Sequence, residues 1–303
     1  MPDFSTQART HFASGLMMAM IGAISFGINI VFAQMSANAG IHGAVIVFYR
    51  VFLVLPLAFV ALLATRTPLR IEKSETGAIV MMALTSSAVS LFYILSVAYV
   101  PVTVAAVIFY TFPILIVLIQ PFIDKKPFHP FVIVTAIMAF GGIVTVLGPH
   151  GQALDLTGLL LAGGASLSAT VQFFYGNRSP LSATIPKLII IQLLMLPAAL
   201  FIMLATAGLP PIDHLLLAPW ASGLTILGYA VGFIMQLLAL NRISPVVAGL
   251  VFCLEPVTAS LCANLVLDEQ LTVTQYAGGA LVLVAIVLNI LHEHHRMKAE
   301  RLS

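Results

Sequence analysis

The chain has 303 residues, 60% of them hydrophobic and 8% charged, with a mean hydropathy of +1.09 and a formal net charge of +2 at pH 7. Soluble domains carry about a quarter of their residues as charges, so this composition excludes a soluble globular protein and assigns the chain to the membrane. The 13 lysines and arginines are spread over many loops and form no run, which excludes a nucleic-acid-binding surface.

Apolar stretches of about 20 residues, each long enough to cross a hydrocarbon core of roughly 30 Å as a helix, run over residues 13–35, 43–65, 76–98, 102–122, 128–147, 156–176, 184–206, 219–240, 245–267 and 272–291. None shows the short dyad alternation of a membrane-barrel strand. The expected fold is therefore an all-α integral membrane protein of ten transmembrane helices. Arg9 and His11 precede the first span, which lacks a compact apolar core with a small-residue cleavage site and reads as a retained helix.

Taken in order, the first span carries Asn29 and the second Arg50, the one basic residue assigned to the inside of a span. In the third, Ser86, Ser90 and Tyr93 follow an i, i+4, i+7 pattern; in the fourth, Thr103, Tyr110, Pro113 and Gln120 fall near one stripe beside Phe109. Gln172 lies on the sixth span, and Thr225, Tyr229, Gly232 and Gln236 form a stripe on the eighth. The ninth carries Phe252, Glu255 and Pro256, together with Cys253 and Cys262, whose spacing supports neither a disulfide nor a zinc motif. Polar stripes in lipid must face protein or water, so these residues mark the inward faces. Phe92, Phe109, Phe112, Phe233 and Phe252 near them suit an apolar or aromatic ligand.

Basic residues mark cytoplasmic loops. Arg9, Arg66, Arg70, Lys73, Lys125, Lys126, Arg178, Lys187, Arg242, Arg296, Lys298 and Arg301 are assigned to one side, whereas the loops at 36–42, 99–101, 148–155, 207–218 and 268–271 contain no Lys or Arg. Both termini are expected in the cytoplasm, and residues 292–303 read as a basic tail beside the lipid headgroups.

Residues 12–147 and 156–291 read as two copies of one pattern at an offset of about 141 to 143 residues. Gly22 and Ser25 recur as Gly163 and Ser166, Pro56 as Pro197, and Pro113 as Pro256. Five spans is an odd number, so the second copy enters the membrane inverted relative to the first. Pro113 and Pro256 each remove an amide donor and crowd the carbonyl four residues earlier, at Phe109 and Phe252, so both helices are expected to kink as gating elements. Glycine pairs, including Gly228 and Gly232 four apart, allow close helix packing.

The segments NRISPVVAGLVFCLEPVTASLCANLVLDEQLTVTQYAGGALVLVAIVL and VPVTVAAVIFYTFPILIVLIQPFIDKKPF resemble the two EamA-type repeats of the drug/metabolite transporter superfamily. Phe112 stands in the first where Glu255 stands in the second. The resemblance covers essentially the whole chain, implies an exporter of small metabolites or drugs, and is greatest to the bacterial aromatic amino acid exporters. In such inverted repeats the substrate site lies near the midplane, around a central cavity. The candidate substrate contacts are Asn29, Arg50, Ser90, Tyr93, Phe109, Tyr110, Gln172, Tyr229, Gln236, Phe252 and Glu255. Arg50 is a candidate for a substrate carboxylate, with a structural contact to backbone carbonyls or to Glu255 as the alternative; Glu255 is a candidate for proton coupling, with a protonated or paired helix-packing role as the alternative. No Walker, Rossmann, zincin or nucleophile-elbow motif is present, so no cofactor, metal or enzymatic chemistry is expected. A nucleotide-sugar or cationic-drug carrier, or a non-transport receptor or intramembrane enzyme, are the competing readings. The expected partners are a small-molecule substrate and the bilayer; the oligomeric state stays open, a monomer included.

Overall fold

A computed structural model describes residues 4–125, 129–148 and 155–299. Lys126, residues 149–154 and Arg301, which entered the charge pattern, lie outside the described residues. Backbone amides and carbonyls have no partner in hydrocarbon, so apolar runs of this length satisfy them internally as helix. The helices are α1 (Phe4–Asn38), α2 (Gly43–Ala64), α3 (Thr76–Ser96), α4 (Val102–Phe109), α5 (Phe112–Asp124), α6 (Pro130–Leu147), α7 (Leu156–Asn177), α8 (Thr184–Thr206), α9 (Pro219–Leu240), α10 (Pro245–Phe252), α11 (Leu254–Val266) and α12 (Val273–Ala299). Short 3-10 turns occupy Lys73–Glu75 and Ile212–Leu217. Helices α4 and α5 share one span and α10 and α11 another, so the described residues form ten spans.

Several helix starts follow from local chemistry. Pro130, Pro219 and Pro245 open α6, α9 and α10, where a missing amide proton costs nothing. Asp155 caps α7 by accepting from the amides of Thr157 (2.7 Å) and Gly158 (3.2 Å). The Gly158 bond, with those from Thr157, holds the Asp155 carboxyl below its usual value. Helix α12 continues unbroken through Ala299, so residues 292–299 of the basic tail are helix.

Helix packing repeats across the two halves. The most extensive contact, α1 with α9, has its counterpart in α3 with α7, and α1 with α11 corresponds to α7 with α5. The pairs α6–α12 and α2–α8 each join a helix to its own equivalent. Exchanging the halves maps this set of contacts onto itself, as expected for two inverted five-helix units related by a pseudo-two-fold axis. Pro56 and Pro197 lie inside the equivalent helices α2 and α8.

Glycines set the closest approaches. A Cβ at Gly232 would come within 2.8 Å of the Phe26 ring, and one at Gly228 within 2.9 Å of the Ser25 carbonyl, so both seat α9 on α1. Between α6 and α12, a Cβ on Gly278 would collide with Thr145 Oγ1 and the Gly142 carbonyl. Gly278→Ala is therefore expected to cost about 1–3 kcal/mol through overpacking, read as a lower midpoint in thermal unfolding of the detergent-solubilised protein. Gly163→Ala, where a Cβ meets nothing within 4 Å, should leave that midpoint unchanged or raise it.

One end of the bundle carries a buried polar network that the charge pattern did not anticipate. Lys187, assigned above to a cytoplasmic loop, lies inside α8 and is 0% exposed, so Arg50 is not the only basic residue within a span. Burial is tolerated because its ammonium donates to the Ser179 carbonyl (2.5 Å), Ser179 Oγ (3.0 Å) and Asn241 Oδ1 (3.1 Å), three acceptors for three protons. Glu75, 4% exposed, accepts from the amides of Leu181 and Ser182 (2.8 Å each) and from Ser182 Oγ (2.5 Å). Asn177 donates to the carbonyls of Leu240 (2.6 Å) and Ile243 (3.2 Å). These bonds tie the start of α3 in the first half to the α7–α8 and α9–α10 turns. At the opposite end an apolar cluster that includes Ile41, Ile46, Ile202, Met203 and Leu215 packs beside Tyr49, whose hydroxyl donates to the Pro210 carbonyl (3.0 Å).

Candidate functional site

Both expected kinks interrupt the regular helix. Helix α4 stops at Phe109 and α5 resumes at Phe112; α10 stops at Phe252 and α11 resumes at Leu254. Each break lies within four residues before its proline, where the ring removes the donor for the Phe109 or Phe252 carbonyl. The chain tightens there into 3-10 bonds, from the Thr111 amide to the Ile108 carbonyl (3.1 Å) and from the Cys253 amide to the Leu250 carbonyl (3.1 Å). Thr111 Oγ1 also lies 2.7 Å from Ser166 Oγ, linking the first break to α7.

Aromatic rings from both halves meet at these breaks and form a continuous arc. It runs from Tyr93 on α3 to Phe109 (5.5 Å between centroids), Phe112 (5.5 Å), Phe173 (5.2 Å), Phe252 (5.3 Å), Phe26 (6.1 Å) and Tyr229 on α9 (6.2 Å). Neighbouring rings at these separations, mostly tilted or edge-on, are in favourable contact. Phe109 and Phe252 are equivalent positions of the two repeats, and both belong to the arc.

Charge lies along this arc. The Arg50 guanidinium, from α2, sits over the Tyr229 ring with Cζ 4.5 Å from its centroid. Arg50 Nε and the buried Asn29 Oδ1 have no hydrogen-bond partner among the described residues. Asn29 faces α9 where Gly228 leaves room, a Cβ there falling 3.1 Å from Asn29 Cβ. Glu255, in the first turn of α11, lies within the electrostatic range of both Tyr110 and Arg50. Arg50 and Glu255 nevertheless form no ion pair within 4 Å, so the direct contact offered as an alternative above is not what holds either one. Both, like Tyr93, are half-buried.

The remaining sequence candidates divide. Ser90 lies on α3 a turn before Tyr93 and keeps accessible surface. Gln236 is buried about two turns along α9 from Tyr229. Gln172 is engaged elsewhere: its Nε2 donates to Ser86 Oγ (2.6 Å) in the α3–α7 contact. Phe92 packs against Gly164 of α7, Phe233 packs against Tyr229, and Gln120 donates to Asp124 at the exposed end of α5. The fully buried Gln192 of α8 was missed; its amide meets the Tyr229 hydroxyl at 3.0 Å. Like Asn29 and Gln172 it is a lone amide in an apolar span, and that signal could have found it.

The model of the EamA-like transporter family matches residues 13–148 and again residues 156–291. An uncharacterized transporter of Clostridium kluyveri is 24% identical over 296 residues, 91% of this chain and 92% of that protein. The threonine/homoserine exporter RhtA is 25% identical over 223 residues in Salmonella typhimurium, 72% of each chain, and over 220 residues in Escherichia coli K12, 71% of each. A crystal structure with 18% sequence identity shares the fold at a TM-score of 0.76 over 91% of this chain and 98% of its own. The finer likeness to aromatic amino acid exporters finds no counterpart among these relatives, whose named substrates are threonine and homoserine.

Proposed function

The chain belongs to the EamA-like transporter family and is a multi-pass membrane transporter, and from that premise we propose that it exports aromatic or other neutral amino acids across a bacterial inner membrane by alternating access. The observation that carries this reading is the placement of one cation and one carboxylate, Arg50 and Glu255, on a shared aromatic arc without an ion pair between them. A free amino acid at neutral pH carries one carboxylate, one ammonium and an uncharged side chain. Arg50 receives the carboxylate, for which a guanidinium fork is geometrically suited. Glu255, with Tyr110 beside it, receives the ammonium, and the rings of Phe109, Phe112, Phe173 and Phe252 meet the side chain. The breaks at Pro113 and Pro256 let the two halves move about this site. The basic loops orient the protein with both termini in the cytoplasm.

Nucleotide sugars would call for several inward cations and cationic drugs for several inward carboxylates; the arc holds one of each. Purified protein in proteoliposomes, loaded separately with labelled Phe, Tyr, Trp, Thr, homoserine and a nucleotide sugar, tests the reading. Saturable flux of at least one amino acid above protein-free vesicles is expected. Flux of the nucleotide sugar with none for any amino acid would overturn the proposal.

A further inference from the structure

We infer that Gln192 is a positioning residue for substrate recognition, holding the tyrosine on which the Arg50 guanidinium rests. The inference rests on the reading of Arg50 as the carboxylate contact. Gln192 lies on α8, the equivalent in the second half of the helix that carries Arg50, and is 0% exposed. Its Nε2 is 3.0 Å from Tyr229 Oη, and that hydroxyl is 3.3 Å from Gln192 Oε1. A hydroxyl is both donor and acceptor, so one amide engages it in both senses.

The geometry gives this bond a particular effect. The hydroxyl lies on the long axis of the tyrosine ring, so pinning it fixes where the ring points but does not stop rotation about that axis. Rotation is limited instead by the neighbouring rings of Phe26 (6.2 Å) and Phe233 (5.8 Å). Together they present a ring face to the guanidinium at 4.5 Å, the arrangement in which a π face attracts a cation. Among the described residues Arg50 has no carboxylate within 4 Å and its Nε has no partner. The ring is therefore the identified contact that orients the guanidinium, and Gln192 orients the ring.

A purely structural interhelical bond would have the same coordinates, so the test separates affinity from stability. Gln192→Met keeps the side-chain length and Tyr229→Phe keeps the ring; each alone orphans a buried polar group, whereas the double variant removes both partners and should unfold near the wild-type temperature. Flux of L-phenylalanine and L-threonine, and of the corresponding amides that lack a carboxylate, is measured in proteoliposomes. Each single variant and the double variant should raise KM for the acids by about tenfold, equivalent to about 1.4 kcal/mol, with the larger effect on KM than on kcat. The double variant should be no worse than the singles, and KM for the amides should not move.

An unchanged KM for the acids in the double variant overturns the inference, as does a rise shared equally by acids and amides. Arg50→Gln run in parallel separates the two levels. If it raises KM for the acids and Gln192→Met does not, Gln192 is structural and the carboxylate reading stands. If neither raises it, the carboxylate reading has failed and the inference with it.

Discussion

Arg50→Gln is expected to raise KM for transported amino acids by roughly ten- to a hundredfold while the protein still folds. A hydrogen bond to a charged group contributes about 1.5–3 kcal/mol, and each 1.4 kcal/mol is about tenfold in affinity. Folding should survive because Arg50 is not in direct contact with a carboxylate: among the described residues no ion pair within 4 Å holds it, and Glu255 loses only a longer-range attraction. What is lost is a contact with the Tyr229 ring, about 0.5–2 kcal/mol depending on desolvation, against a relieved cost of burying a cation. Arg50→Lys keeps the charge without the planar fork and should fall between the two. Flux against substrate concentration, with thermal unfolding as the folding control, measures both parts. A folded Arg50→Gln protein with wild-type KM would remove Arg50 from the site.

Glu75→Ala is expected to have the opposite profile, a large loss of stability with no direct role in recognition. Its carboxylate accepts the amides of Leu181 and Ser182 and the hydroxyl of Ser182, and its charge acts on the buried Lys187. Removing the carboxylate leaves the two amides and the hydroxyl without their acceptor, at about 1–3 kcal/mol for each buried group left unpaired, and takes a longer-range attraction from Lys187. Glu75→Gln, which retains an acceptor oxygen, should cost less. Glu75→Ala combined with Lys187→Met should recover part of the loss, because no lone charge then remains buried. The measurement is the unfolding midpoint of each variant in one detergent; a Glu75→Ala protein as stable as the wild type would show that the network contributes nothing.

Much of the fold was legible because the membrane restricts what a chain can do. An apolar run of about 20 residues has essentially one backbone solution, and Pro113 and Pro256 locate the broken helices to within a few residues. The mutual positions of Tyr93, Tyr110, Arg50 and Glu255 were legible only as inward-facing polarity, since helical periodicity gives the face of a helix but not which residue of another helix lies opposite. The contacts of Lys187 and Gln192 escaped for a different reason. Both residues sit in a 23-residue helix of mostly apolar residues, and what accommodates them comes from distant segments, Asn241 for one and Tyr229 for the other. Glu75 follows Arg70 and Lys73 and so reads as loop charge, although its partners lie more than 100 residues away at Leu181 and Ser182.

The same network responds differently to mutation and to movement. Deleting a side chain strands its partner in a dry interior, but a motion parting α3 from the α7–α8 turn would admit water to Glu75 and Lys187 together. Hydration then returns to both ions the solvation they gave up on burial, a quantity that largely offsets the attraction lost. The amides of Leu181 and Ser182 likewise exchange their bonds to Glu75 for water. Against an apolar seam of equal area, where separation exposes hydrocarbon at about 25 cal/mol per Å², this end of the bundle wets at lower cost. A contact built from charges and serines can thus be sensitive to substitution and still be reversible under thermal motion.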